Sequence, residues 1–375
     1  MLSNFIKTMI AGSILLAFQL PLSAYADGEA VGAVYTMSNA ADGNTVLMFD
    51  RGLNGKLTPA GEFSTEGYGT DGGLGNQGGL IIDPSNRWLF VVNAGSNEIS
   101  VFAVEEDGLT LVDREYAGGD RPISLAYSRN LLYVLNAGGA VGSVDSISGF
   151  YVAEDGTLTP IAESTRQLSS VDTGPAQISF NADGDVLVVT EKATNLIDTF
   201  VVDADGVAGT VNAHSSAGET PFGFAIGSRD QVIVSEAAGG ATDLSSVSSY
   251  QLGKDGSLTL ISAAVGTTET AACWAVVSND GRFTYVTNAG SDSISGYRIG
   301  FDGSLELLDA GGVTANTGNN SGPLDMVVSS DGRSLYTLNG RNDTIGVFSI
   351  KAKGGLASKN SHIDVPASAN GLAIR

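Results

Sequence analysis

Short apolar runs of five or six residues, rich in Val, Ile, Tyr and Phe, recur along this chain, and turn residues separate them at intervals of about ten. One stretch displays the order. Leu80-Ile81-Ile82 is followed by Asp83-Pro84-Ser85-Asn86, then by Trp88-Leu89-Phe90-Val91-Val92-Asn93, Ala94-Gly95-Ser96-Asn97, Ile99-Ser100-Val101-Phe102 and an Asp107-Gly108 turn. The same order returns around Tyr133-Val134-Leu135-Asn136, Tyr285-Val286-Thr287-Asn288 and Tyr336-Thr337-Leu338-Asn339. Tight-turn glycines mark the period: Gly55, Gly108, Gly156, Gly206, Gly256, Gly303 and Gly354 stand 53, 48, 50, 50, 47 and 51 residues apart. Asp-Gly and Asn-Gly pairs suit the positive backbone angles of tight hairpins. The pattern predicts seven units of four antiparallel strands, with no long helical period between them.

Such units could stack in a line or close into a ring. The chain ends favour the ring. Gly371-Leu372-Ala373-Ile374 matches Gly79-Leu80-Ile81-Ile82, whereas the first unit, from Val31 to about Phe63, lacks that opening strand. A C-terminal strand that completes the N-terminal sheet leaves no open edge. The expected fold is therefore an all-β, seven-bladed β-propeller over residues 27–375 as one domain, its first blade closed by the last strand.

The recurring Tyr-Val-Thr-Asn, followed by Ala-Gly and an Ile-Ser strand, resembles the repeat of lactonase-family seven-bladed propellers. Relatives of that family include bacterial 6-phosphogluconolactonases and fungal carboxymuconate cyclases. The resemblance covers essentially all of the chain after residue 26, and it implies a propeller that acts on a lactone or sugar-like small molecule. Those enzymes use arginine and histidine in a Gly-Pro-Arg-His stretch, where this chain has Gly174-Pro175-Ala176-Gln177. The glutamate that follows in those enzymes is matched only approximately, by Glu191 one place earlier. Phosphate recognition thus loses its donors, and a non-phosphorylated lactone is the expected substrate.

In a propeller the long connections gather on one face, and here they are 64–78, 138–146, 169–174, 239–246 and 314–322. Binding residues usually sit on such loops. Aligned by their first turns, the innermost strands begin near the axis with Gly79, Ser124, Gln177, Gly223, Trp274, Asp325 and Gly371. Gln177, Trp274 and Asp325 would give a partly open mouth with an aromatic wall, unless Trp274 simply plugs the axis.

The asparagine ending the second strand is Asn39, Asn93, Asn136, Asn288 and Asn339 in five units, but Glu191 and Glu236 in two consecutive ones. Two neighbouring carboxylates can separate their pKa values and divide acid from base work. The plain alternative is that each caps backbone N–H groups, as the asparagines would. Read as an active site, Glu191 is the base, Glu236 tunes it and Gln177 donates a hydrogen bond. Lys192 is then a candidate oxyanion cation, and Trp274, Asp325, Ser124 and Asn136 are substrate-binding candidates. The competing reading is a non-catalytic propeller that holds a glycan, peptide or envelope partner on the same face.

Composition narrows the setting. Residues 1–26 carry one charge, Lys7, then an apolar run of about fourteen residues from Met9 to Leu22 and Ala24-Tyr25-Ala26 before Asp27. This reads as a secretory leader, shorter than the roughly 20 residues that span a bilayer, with an uncleaved anchor as the alternative. The remainder is expected in the periplasm or outside the cell, as a monomer, without membrane contact once the leader is removed. A net charge of −22 disfavours nucleic acid as a partner.

Cys273 is the only cysteine, so no intrachain disulfide forms. His214, placed in the crossover before Pro221, and His362 are the only histidines, too few for a zinc site. No cofactor is expected. Calcium stays open only because Asp325, Glu191, Glu236 and the asparagines offer oxygen ligands.

Overall fold

A computed structural model describes residues 30–139 and 144–375. The leader expected over residues 1–26 and part of the 138–146 connection lie outside the described residues.

Seven sheets surround one axis. Blade 1 pairs the strands Ala30–Met37, Thr45–Gly52 and Leu57–Ser64 with the C-terminal strand Asn370–Ile374. The joint is antiparallel, with Val34 opposite Ile374 and Tyr35 opposite Ala373. The chain therefore closes its own ring, as the match between Gly371–Ile374 and Gly79–Ile82 implies. Blades 2 to 7 begin with the innermost strands Leu80–Ile82, Pro122–Ser128, Pro175–Phe180, Pro221–Ile226, Ala272–Val277 and Pro323–Val328. Each continues outward as an antiparallel meander. In blades 3 and 6 the outer strand is broken into two short pieces that both pair with the third strand.

The second strand of every blade from 2 to 7 is buried along its whole length, so both of its faces are core. Packing against a neighbouring blade on each side supplies this burial, because a lone four-stranded sheet would leave both faces wet. The recurring tyrosine adds a directional tie. Tyr133, Tyr285 and Tyr336 are buried, and each donates its hydroxyl to the carbonyl of the turn glycine of the next blade: Gly206 at 2.8 Å, Gly354 at 2.9 Å and Gly55 at 2.9 Å. Each tie combines a buried ring with a satisfied hydroxyl, roughly 1 kcal/mol from the hydrogen bond beyond the ring's burial.

Those glycines turn with φ of +75°, +85° and +79°, a region that strains other residues. Gly108 departs from the set: its φ is not positive, and the Tyr35 hydroxyl of blade 1 is buried without a partner.

The innermost strands share one more device. A register shift follows the first residue or two of those starting at Pro122, Pro175, Pro221, Ala272 and Pro323. A bulge re-aims the side chain after it. Here the bulges turn Ser124, Gln177, Trp274 and Asp325 toward the axis.

Candidate functional site

The axis is not open from face to face. The segment from Leu74 to Gly78, within the long connection into blade 2, crosses it. Gln77 binds three other blades: its backbone N–H donates to the Ala176 carbonyl at 3.0 Å, its carboxamide exchanges bonds with Ala275 at 2.8 and 3.1 Å, and its carbonyl accepts the Ser124 hydroxyl at 2.6 Å. Asn76 receives the Trp274 indole N–H on its carbonyl at 2.7 Å. The mouth expected to be partly open is thus closed by this segment and Trp274 together. Ser124 is wholly buried and also accepts the Ile178 N–H at 3.1 Å, so it ties the plug to blades 3 and 4.

The plug separates two environments. On the loop-rich side, Trp274 packs its ring on Phe222 at 4.9 Å between centroids, with Cys273 and Ala176 in the same apolar cluster. Lys192 reaches this wall. The strand Val186–Glu191 ends one residue before it, so strand alternation no longer directs its side chain. Its ammonium lies 4.8 Å from the Phe222 ring centre and donates to the carbonyls of Gly75 and Pro175, the latter at 2.8 Å. Burial pushes its pKa down to about 8, and the Arg121 charge pushes the same way, against Cys273 and Asp145. Burial likewise pushes the Cys273 thiol up to about 12, so it packs as an apolar side chain.

On the other side, a cavity of about 300 Å³ is floored by Gln77, Gln177 and Asp325, and rimmed by Ile82, Ser179, Val327 and Ile374 near the short-turn face. Asp325 is buried. Its carboxylate accepts N–H groups from Met326 at 2.8 Å, from Leu372 at 3.1 Å and from Gly78, so it pins the closing strand and the plug to blade 7. Burial nevertheless pushes its pKa up to about 7. Gln177 accepts the Phe224 N–H at 2.7 Å. These two axis residues share a chamber, and Trp274 is not among its lining residues.

Both odd glutamates are wholly buried at the ends of their second strands, on the loop-rich side. Glu236 accepts the Gly218 N–H at 2.8 Å and the hydroxyls of Ser216 at 3.2 Å and Ser246, so it holds its crossover. Glu191 accepts the Ser169 hydroxyl at 2.6 Å and the Thr194 hydroxyl. The Ser169 N–H is shared between Glu191 and Asp198, at 3.0 Å to each. Two carboxyl groups thus converge on one donor. Burial, then the hydrogen bond and charge of Glu191, push the Asp198 pKa up to about 8, so the pair holds a proton at neutral pH. No hydrogen bond joins Glu191, Glu236 and Gln177 among the described residues. Asn136 is buried in blade 3, where it donates to the Ala117 carbonyl at 3.2 Å and to Ser148 at 3.5 Å.

Sequence reasoning missed Asp198, Ser169 and Phe222. Asp198 was within reach, since the third place of the third strand is Ser100, Ser148, Ser248 and Ser295 in other blades. His214 lies in the outer strand Asn212–Ser215 rather than in the crossover, and contacts Thr199 and the Gly256 carbonyl. Among the described residues, no group of three or more His, Cys, Asp or Glu side chains converges as metal ligands do. No helix among them is long and apolar enough to cross a membrane.

Comparisons with known proteins bear on this architecture. Among solved structures, a periplasmic gluconolactonase of Pseudomonas aeruginosa superposes with a TM-score of 0.70 at 17% identity, covering 92% of this chain and 98% of that one. A protein of Bacteroides uniformis assigned as a 6-phosphogluconolactonase gives 0.73 at 17% identity, covering 92% and 99%. A protein of Lactobacillus plantarum gives 0.68 at 15%, covering 92% and 99%. At these identities the likeness is one of fold. No curated protein sequence matches. The family model described as lactonase, 7-bladed beta-propeller, matches residues 33–144, 142–276 and 244–370, and the chain belongs to that family.

Proposed function

We propose that this chain is an exported hydrolase of non-phosphorylated lactones, acting at the loop-rich mouth above the plug. The observation that carries the reading is Lys192: an ammonium held by two carbonyls beside an aromatic wall of Phe222 and Trp274. A lactone is uncharged until water adds to its carbonyl, when negative charge develops on the oxygen. A prepositioned cation favours that state over the ground state. The aromatic wall suits the apolar face of a lactone ring.

The proton leaving the attacking water passes to the buried carboxyl pair. In this reading Glu191 accepts it through the half-exposed Ser169 hydroxyl, with Asp198 sharing the charge. The ring oxygen departs with a proton, and the product is a hydroxy acid. Glu236 and Gln177 are positioning residues that hold the next crossover and the axis strand. Export rests on the leader-like residues 1–26 and on the periplasmic gluconolactonase of similar fold.

A second reading has its own support. Both glutamates are saturated by donors, as in a propeller that binds a sugar, peptide or envelope component without turning it over. Initial rates on a panel of aliphatic and sugar lactones separate the two. The hydrolase reading expects turnover by the wild type and a loss in kcat/KM of about 10²-fold or more for Lys192→Met. Saturable binding with no turnover of any lactone favours the binding module and overturns the hydrolase.

A further inference from the structure

We propose that the chamber on the short-turn side of the plug is a second binding site, for a slim aliphatic compound ending in a primary ammonium, with Asp325 as its counter-ion. At about 300 Å³ the chamber falls in the range of small-molecule sites. Its wall is apolar, formed by Leu80, Leu125, Ile178, Met326 and Leu372, and its rim is partly exposed. The floor holds one ionisable group. Asp325 receives only backbone N–H groups, and no Lys, Arg or His pairs with it among the described residues.

A buried carboxyl without a counter-charge is held back from ionising, and burial moves its pKa up to about 7. A ligand ammonium would supply the missing charge. A bare metal ion is a poorer match, because the Gln77 carboxamide oxygen is already taken by the Ala275 N–H and its carbonyl by Ser124, which leaves a single carboxylate where oxygen-ligated ions take six or more ligands. The chain's net charge of −22 also raises the local concentration of cations. The site lies across the plug from Lys192, so it is independent of the lactone reading.

Three probes with one chain and different heads test it by calorimetry at pH 8: hexylamine, hexanol and hexanoate. Hexylamine is expected to bind saturably and about tenfold or more tighter than hexanol, with hexanoate weakest. Asp325→Asn should abolish the preference for the amine. Because Asp325 also pins the closing strand, Val327→Trp at the rim provides a variant that narrows the entrance without touching the carboxylate, and it should weaken all three probes. Absence of saturable hexylamine binding by the wild type would overturn the proposal. So would equal affinity for amine and alcohol, or amine binding unchanged in Val327→Trp.

Discussion

Blades 2 and 4 fasten their incoming crossovers at the same place with different chemistry. In blade 2 the fastening is neutral. The Thr65 hydroxyl donates to the Asn93 carboxamide oxygen at 2.8 Å, the Asn93 amide donates to Ser100 at 2.8 Å, and Ser100 donates to the Thr65 carbonyl at 2.7 Å. Each of these donors meets an uncharged acceptor, so no proton is taken up or released. In blade 4 Glu191 stands in place of the asparagine and Asp198 in place of the serine, and both face the Ser169 N–H. Two carboxyl groups now compete for that one N–H while Asp198 Oδ1 has no donor of its own, and the shortage is met by a proton. The same scaffold thus yields a fastening indifferent to pH in one blade and a titrating one two blades away.

The harshest way to break the comparison is to put a carboxylate into the neutral site. Asn93→Glu keeps the Thr65 and Asn44 donors but removes the one that serves Ser100, and buries a charge with no cation beside it. A loss on the order of 3 kcal/mol is expected from the urea midpoint at pH 8, shrinking at pH 5.

The reverse exchange sharpens the comparison. The folded Asp198 carboxyl, at about 8, binds a proton that an unfolded aspartate releases near 3.9. Its stabilisation is therefore complete below pH ~4 and is lost as pH rises through about 8. Asp325 adds a contribution of the same sign that ends near pH 7. Glu191→Asn combined with Asp198→Ser should remove the Asp198 share, so that variant and wild-type stabilities diverge between pH 5 and 9. Parallel curves in urea titrations at pH 5, 7 and 9 would contradict a shared proton.

The smallest expected effect is Ser169→Ala. It removes one hydroxyl from Glu191 and leaves the backbone N–H in place, a loss of about 1–2 kcal/mol by thermal or urea unfolding. If Ser169 also carries the proton in lactone hydrolysis, the same variant lowers kcat more than it raises KM.

The ring was legible in the sequence because every blade carries a turn glycine at a near-constant spacing, five end the second strand in asparagine, Tyr133, Tyr285 and Tyr336 recur, and Gly371–Ile374 matches the opening strand that blade 1 lacks. The replacement of asparagine by Glu191 and Glu236 was legible for the same reason. Two features were not. Leu74 to Gly78 is chemically an ordinary glycine-rich connection, and its role as a plug depends on partners in blades 3, 4 and 6 that lie far along the chain. The division of Trp274 from Gln177 and Asp325 depends on that plug, since all three occupy equivalent places in their strands. Equivalent positions in a repeat predict equal height along the axis. They do not predict which chamber a side chain enters once a foreign segment crosses between them.

The seal formed by Asn370–Ile374 offsets the order of synthesis from the order of assembly. The N-terminal sheet is among the first parts made, yet it waits for the last five strand residues before its inner margin, at Val34 and Tyr35, is satisfied. A chain terminated ten residues early would carry six intact sheets and one raw edge, ready to pair with another truncated copy. Closure of the ring thus waits for a strand made long after the sheet that it completes.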